Sequence, residues 1–207
     1  MIPFSIEVYI RLIERYAETF WPMSVVAFIV ASVAVFICFK PGKFGNRMLG
    51  VYLAAAWFWI GVVYYGNYFT GLNWAAWISA GLFVVQGVLL GVYHNRIEVL
   101  YLPTGAGRVG MLFMLFALIA YPALGAWAGL KFSAAPIVGL HPEPTILFTL
   151  GVLLLSSPKI YWRLIVLPIL AAFISGVAAW MMDWPHDMIL VPVALLVIWQ
   201  KLRLKIR

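Results

Sequence analysis

Seven apolar runs, separated by short polar turns, occupy nearly all of the chain. They lie at about Trp21 to Phe39, Met48 to Phe69, Trp74 to Tyr93, Val109 to Leu130, Thr145 to Ser157, Tyr161 to Met182 and Met188 to Trp199. Hydrocarbon offers no hydrogen-bond partners, so such runs satisfy their backbone groups internally, as helices. Seven spans of about 20 residues use about 140 positions, which leaves no room in 207 for a soluble domain. With 65% hydrophobic and 10% charged residues, the chain departs from the roughly 45–50% and 25% of soluble domains. The pattern predicts an all-α membrane protein: a bundle of seven transmembrane helices (21–200), preceded by an N-terminal amphipathic interfacial helix (1–20) and followed by a basic cytoplasmic tail (201–207).

The leading segment does not read as a secretory signal, because Glu7, Arg11, Glu14, Arg15 and Glu18 interrupt it. On a 3.6-residue repeat these charges share one side, and Ile6, Tyr9, Ile10, Ile13 and Tyr16 share the other. Such a helix either lies in the membrane interface or docks on the bundle. Pro122 interrupts the fourth run, so neighbouring groups must absorb its missing hydrogen bond. The connection from Lys131 to Pro144 carries Pro136, Gly139, Pro142 and Pro144 and cannot be regular helix. The fifth run after it is short for a full crossing. Either it sits in a thinned region or the Pro-rich stretch dips into the protein.

Charge sorts cleanly by alternate connections. Lys40, Lys43, Arg47, Arg96, Arg108, Lys159, Arg163, Lys201, Arg203, Lys205 and Arg207 fall on one side with Glu98, for a net +10. Arg11, Arg15 and Lys131 fall on the other with Glu7, Glu14, Glu18, Glu143, Asp183 and Asp187, for a net −3, and together they recover the formal +7. Basic residues collect on the cytoplasmic side of membrane proteins. The expected placement is therefore the inner (cytoplasmic) membrane, with the N-terminus outside and the C-terminus in the cytoplasm. Basic charge explained by topology gives no reason to expect nucleic acid as a partner.

Candidate chemistry concentrates on the acidic side. His141, Glu143, Asp183, His186 and Asp187 are of the types that ligate divalent metals, although no helix presents two of the histidines one turn apart. An outer loop also needs polar residues, and Asp183 or Asp187 suits a helix cap. His94 belongs to the opposite side. The three histidines lie in or beside loops, which does not suit haem ligation. The lone Cys38 allows no internal disulfide and no Cys-based metal site. Ser156 and Ser157 fall on the side away from His141, so a Ser-His hydrolase has no support. Apart from Arg163, counted with the turn at the edge of the sixth run, no charged residue falls inside the seven runs, whereas coupled transporters place such groups there. Asn67, Gln86, Glu143 and Thr145 remain as candidate ligand-binding residues. Gly87 with Gly91, and Gly125 with Gly129, permit close helix approach within the bundle or in a dimer.

The stretches YAETFWP (Tyr16 to Pro22), WFWIGVVYY (Trp57 to Tyr65), GLFVVQGVL (Gly81 to Leu89), YPALG (Tyr121 to Gly125) and APIVGLHPEPTILFTLGVLLL (Ala135 to Leu155) together resemble a bacterial family of seven-span membrane proteins known as a domain of unknown function. The resemblance implies a multi-span inner-membrane protein and brings no established activity, cofactor or site. The family's Pro-x-Pro-Thr segment, here Pro142 to Thr145, varies at its middle position, so the resemblance does not make Glu143 a catalytic acid.

The residues thus lead to a non-enzymatic membrane protein, either an accessory subunit or a binder of a small ligand or divalent metal near the outer mouth. Its expected partners are the lipid bilayer and another membrane protein or a second copy. The competing expectation is a transporter or channel that uses the Pro-broken segment before the fifth span.

Overall fold

The computed structural model describes residues 6–99, 105–156 and 162–205, and these are all-α. Pro103, Thr104, Ser157, Lys159 and Arg207 lie outside them. Eight helices follow in order among the described residues: α1 Ile6–Thr19, α2 Trp21–Phe39, α3 Lys43–Gly71, α4 Ala76–Val92, α5 Gly105–Trp127, α6 Pro142–Leu155, α7 Trp162–Met181 and α8 Leu190–Lys205. A 3₁₀ turn, Pro185–Ile189, leads into α8. Five segments are long and apolar enough to cross a membrane: α2, α3, α5, α7 and Pro185–Leu202. Helices α4 and α6 are apolar but shorter, at 17 and 14 residues.

Helix α6 is the axis of the fold. Every residue from Pro142 to Leu155 is buried, as expected of a helix that is apolar all round. It starts earlier than the apolar run suggests, because Pro142 and Pro144 fall in the first turn, where missing N–H groups cost nothing. At ~1.5 Å per residue it measures roughly 21 Å, short of the ~30 Å hydrocarbon thickness. The Pro-rich approach is buried as well, from Ala134 onward with Ile137 half-buried, so this stretch dips into the protein.

Hydroxyl groups pin the helix internally. Trp57 Nε1 donates to Thr149 Oγ1 at 2.8 Å, Thr149 Oγ1 donates to the Thr145 carbonyl at 2.7 Å, and Thr145 Oγ1 donates to the His141 carbonyl at 2.7 Å. Helix α5 crosses α6 where Gly110 meets Gly151 backbone to backbone. Likewise Gly87 of α4 sits against Ala54 and Phe58 of α3, so the small-residue spacing there serves packing within the bundle.

Two helices widen into π-turns. In α3 the stretch Ile60–Tyr68 is π-helical, and in α5 Phe116–Ala120 is. The second immediately precedes Pro122, and the extra residue per turn relieves the clash a proline makes in a regular helix.

Helix α1 docks on the bundle. Its apolar face, Tyr9, Leu12, Ile13, Tyr16 and Ala17, is buried by protein, with Tyr9, Ile13 and Ala17 clustering with Leu130, Ala134, Ala179 and Trp184. Tyr16 is the main tie: it donates to the Leu140 carbonyl at 3.0 Å and accepts from Trp59 Nε1 at 2.9 Å. On its solvent side, Glu14 and Glu18 pair with Lys131 at 3.4 and 3.8 Å. Tyr16→Phe orphans a buried carbonyl and a half-buried indole N–H and is expected to cost about 1–3 kcal/mol. Lys131→Ala removes an exposed ion pair and is expected to cost less than about 1 kcal/mol. Reversible unfolding in mixed micelles ranks the two; a larger loss from Lys131→Ala would contradict the docking described.

Contacts between elements bring Arg163, His94 and Lys201 to one end. Arg163 donates to the Tyr93 hydroxyl at 3.2 Å, Gly50 lies against His94, and Lys201 sits 5.7 Å from the Trp162 ring centre. All of these lie at the end opposite α1. Exposed aromatics ring both ends, with Trp21, Trp74, Trp77, Trp127 and Trp180 at the α1 end and Trp162 and Trp199 at the other, as interfacial belts do.

Candidate functional site

At the α1 end, five helices and the turn before α8 line a cavity of about 350 Å3. Tyr9 comes from α1, Tyr64 and Tyr65 from the π-turn of α3, Ser79 from α4, Glu143 from α6, Ser175 from α7, and Asp187 from the turn before α8. Two consecutive tyrosines of the π-turn are both buried. Their rings stand edge to face at 5.2 Å, and Tyr64 also meets the Tyr16 ring at 5.2 Å. The Tyr9 ring lies 6.0 Å from that of Trp184.

The carboxylates are the unusual part. Glu143 is 9% exposed and Asp187 4%, and Glu143 lies within the electrostatic reach of Asp187. The Tyr121 hydroxyl donates to Asp187 Oδ1, and His186 Nε2 lies 3.5 Å from the same oxygen. The place of Glu143 in the first turn of α6 suits an anion, because the helix dipole is positive there. Among the described residues no Lys or Arg lines the cavity. Tyr121→Phe removes a donor from a buried carboxylate and is expected to cost about 1–3 kcal/mol, measured by unfolding in micelles; an unchanged protein would mean that Asp187 is satisfied otherwise.

His141 stands beside the cavity. Its Nδ1 accepts from the Ile137 N–H at 3.1 Å, and its Nε2 is buried without a hydrogen-bond partner. The rings of Tyr16 and Tyr64 face it at 5.4 and 6.0 Å. Burial pushes the imidazole down to about 4, so it is neutral at pH 7.

Of the residues expected to bind a ligand, Glu143 alone lines the cavity. Gln86 is fully buried and donates to the Leu164 carbonyl at 2.9 Å, Thr145 is spent on the 139–141 turn, and Asn67 is exposed. Among the candidate metal ligands, Asp183 is exposed and caps α7: it adopts φ 53°, and the Trp184 N–H bonds back to the Ala179 carbonyl at 2.9 Å. That is a left-handed helix end, which Asp tolerates. Among the described residues no three His, Cys, Asp or Glu side chains gather as a metal-holding group. The expectation that no charged residue lies in an apolar segment is corrected in part. Asp187 falls within the apolar stretch Pro185–Leu202, and Glu143 within α6.

Nothing local in the sequence joins the tyrosines to Glu143: Tyr9 belongs to the apolar face of α1, and Tyr64 and Tyr65 end the stretch WFWIGVVYY. No curated protein and no solved structure matches the chain. The family of unknown function DUF6064 matches residues 6–206, nearly the whole described bundle, and the chain belongs to that family.

Proposed function

We propose that the protein is a non-enzymatic integral membrane protein that holds a small ligand in the cavity between α1, α3, α4, α6 and α7. It crosses the cytoplasmic membrane seven times, with α1 outside and the C-terminus inside. The observation that carries the reading is the cavity itself. At about 350 Å3 it falls within the ~300–1,000 Å3 of small-ligand sites, and it combines tyrosine walls with two buried carboxylates. Buried carboxylates without a cationic partner are costly, and a ligand that supplies the missing charge or donors offsets that cost. Transport along Asn67, Gln86 and Thr145 draws no support from this cavity, since none of them lines it.

Native mass spectrometry of protein extracted in nanodiscs tests the ligand reading. The expected spectrum shows a small molecule retained by the wild type and lost from Ala178→Phe, which fills the cavity wall. A folded wild type that carries nothing and is stabilised by no compound in a chemically diverse set overturns it. Orientation is tested separately by a membrane-impermeant maleimide on intact cells. Cys38 is buried, so Lys131→Cys should label and Lys43→Cys should not; the reverse pattern inverts the topology.

A further inference from the structure

The cavity does not end at its own walls. A second hollow of about 420 Å3 runs along α7 beside the end of α3, and it shares Phe69, Asn73, Ile174, Ala178 and Met182 with the cavity. Its remaining lining, Phe173, Val177 and Met181, is apolar. Ile174, Val177 and Met181 are 39%, 49% and 49% exposed on a helix apolar enough to span a membrane. The hollow therefore opens sideways, toward the acyl chains rather than toward water.

Resting on the reading of the cavity as a ligand site, we infer that its ligand is an amphiphilic ammonium ion, with its cationic head between Glu143, Asp187 and the tyrosine rings and its alkyl chain in the groove along α7. The head is dictated by complementarity. Two carboxylates line the cavity with no Lys or Arg among its lining residues, and Tyr9, Tyr64 and Tyr65 line it with them. Aromatic faces attract ammonium groups, and a cage of them beside carboxylates is the usual way proteins hold quaternary amines. A divalent metal fits less well, because among the described residues no three His, Cys, Asp or Glu side chains gather as a metal-holding group. The tail follows from continuity: a purely polar cation would leave the groove unused, and a purely apolar chain would leave the carboxylates unmatched.

The same head chemistry occurs on free alkylamines and on aminolipids, and the experiment separates them. Binding of decyltrimethylammonium, decyl sulfate and decanol is measured by calorimetry on protein in phosphatidylglycerol nanodiscs, with empty nanodiscs subtracted. The cation is expected to saturate one site and to bind at least about tenfold more tightly than the anion or the alcohol, with Glu143→Gln and Asp187→Asn each lowering its affinity about tenfold or more. Ala178→Phe, at the junction of groove and cavity, is expected to exclude the decyl cation. Loss of binding when phosphatidylethanolamine is added identifies an aminolipid as the natural source; unchanged binding identifies a free amine. Equal binding of cation and alcohol overturns the ammonium assignment and leaves the ligand cavity standing. If none of the three probes binds, the ammonium assignment fails, and the mass-spectrometric test above decides the cavity on its own. Should either carboxylate variant fail to fold, the comparison among the three probes on wild type still decides.

Discussion

Gly151→Val is expected to leave no folded bundle in the membrane. A side-chain carbon at this position would stand 2.6 Å from the Gly110 carbonyl oxygen, 2.8 Å from Met114 Cγ and 3.1 Å from the Met114 backbone nitrogen. Two of those three atoms are backbone, held by the hydrogen bonds of α5, so they cannot move aside as a side-chain tip could. Helix α6 has no freedom either, since all its residues are buried. Overpacking a tight core costs about 1–3 kcal/mol and sometimes more, and a branched side chain wedged between two backbones belongs at or above the top of that range. Gly110→Val meets the same crossing from the other side and should behave alike. Gly81 of α4 supplies the control: nothing lies within 4 Å of an added carbon, and Ala is favoured over Gly in a helix by about 0.5–1 kcal/mol. Gly81→Ala should therefore raise stability slightly. Folded yield and unfolding midpoints read the series, and a well-folded Gly151→Val would disprove the backbone contact between α5 and α6.

Acid is expected to destabilise the protein through His141. The imidazole titrates at about 4 when folded, against 6.5 as its ordinary value. The unfolded chain therefore binds the proton more readily, and protonation favours unfolding. The contribution of this residue is complete above about pH 6.5, declines as pH falls toward 4, and stays lost below that. The whole range is worth about 3 kcal/mol. Other buried groups titrate too, so the test is a difference. His141→Asn keeps an acceptor for the Ile137 N–H and removes the titration. Between pH 7 and pH 4 the wild type should lose about 3 kcal/mol more than this variant, and parallel pH profiles would show that the imidazole is solvated.

The residues made some of this legible and hid the rest for a physical reason. The apolar runs were found as helices because hydrogen bonding in hydrocarbon is satisfied within a segment, so each run carries its own instruction. The two faces of α1 were readable from spacing alone. That its apolar face meets protein was settled by Tyr16, whose hydroxyl bonds to Leu140, distant in the chain. Glu143 and Asp187 read as loop residues because Pro142, Pro144 and Pro185 surround them. Yet prolines are tolerated in a first turn, and the helical segments begin at Pro142 and Pro185, just before these carboxylates. Asn67 and Gln86 drew attention as polar residues in apolar runs, but their placement depends on helix rotation. One turned outward and the other toward Leu164.

Sequence by itself determined the helical, apolar character of the chain and the expectation that its charges sort into a basic and an acidic end. Both follow from local rules: apolar length, and charge counted turn by turn. Only the tertiary structure decided that α6 is wrapped on all sides, that consecutive tyrosines of one π-turn are both buried, and that two carboxylates from separate turns share one cavity. Those outcomes rest on backbone contacts such as Gly110 with Gly151 and on the rotation of each helix about its axis. Apolar composition leaves that rotation open, because helices that are apolar on every face carry no stripe to say which side must be buried.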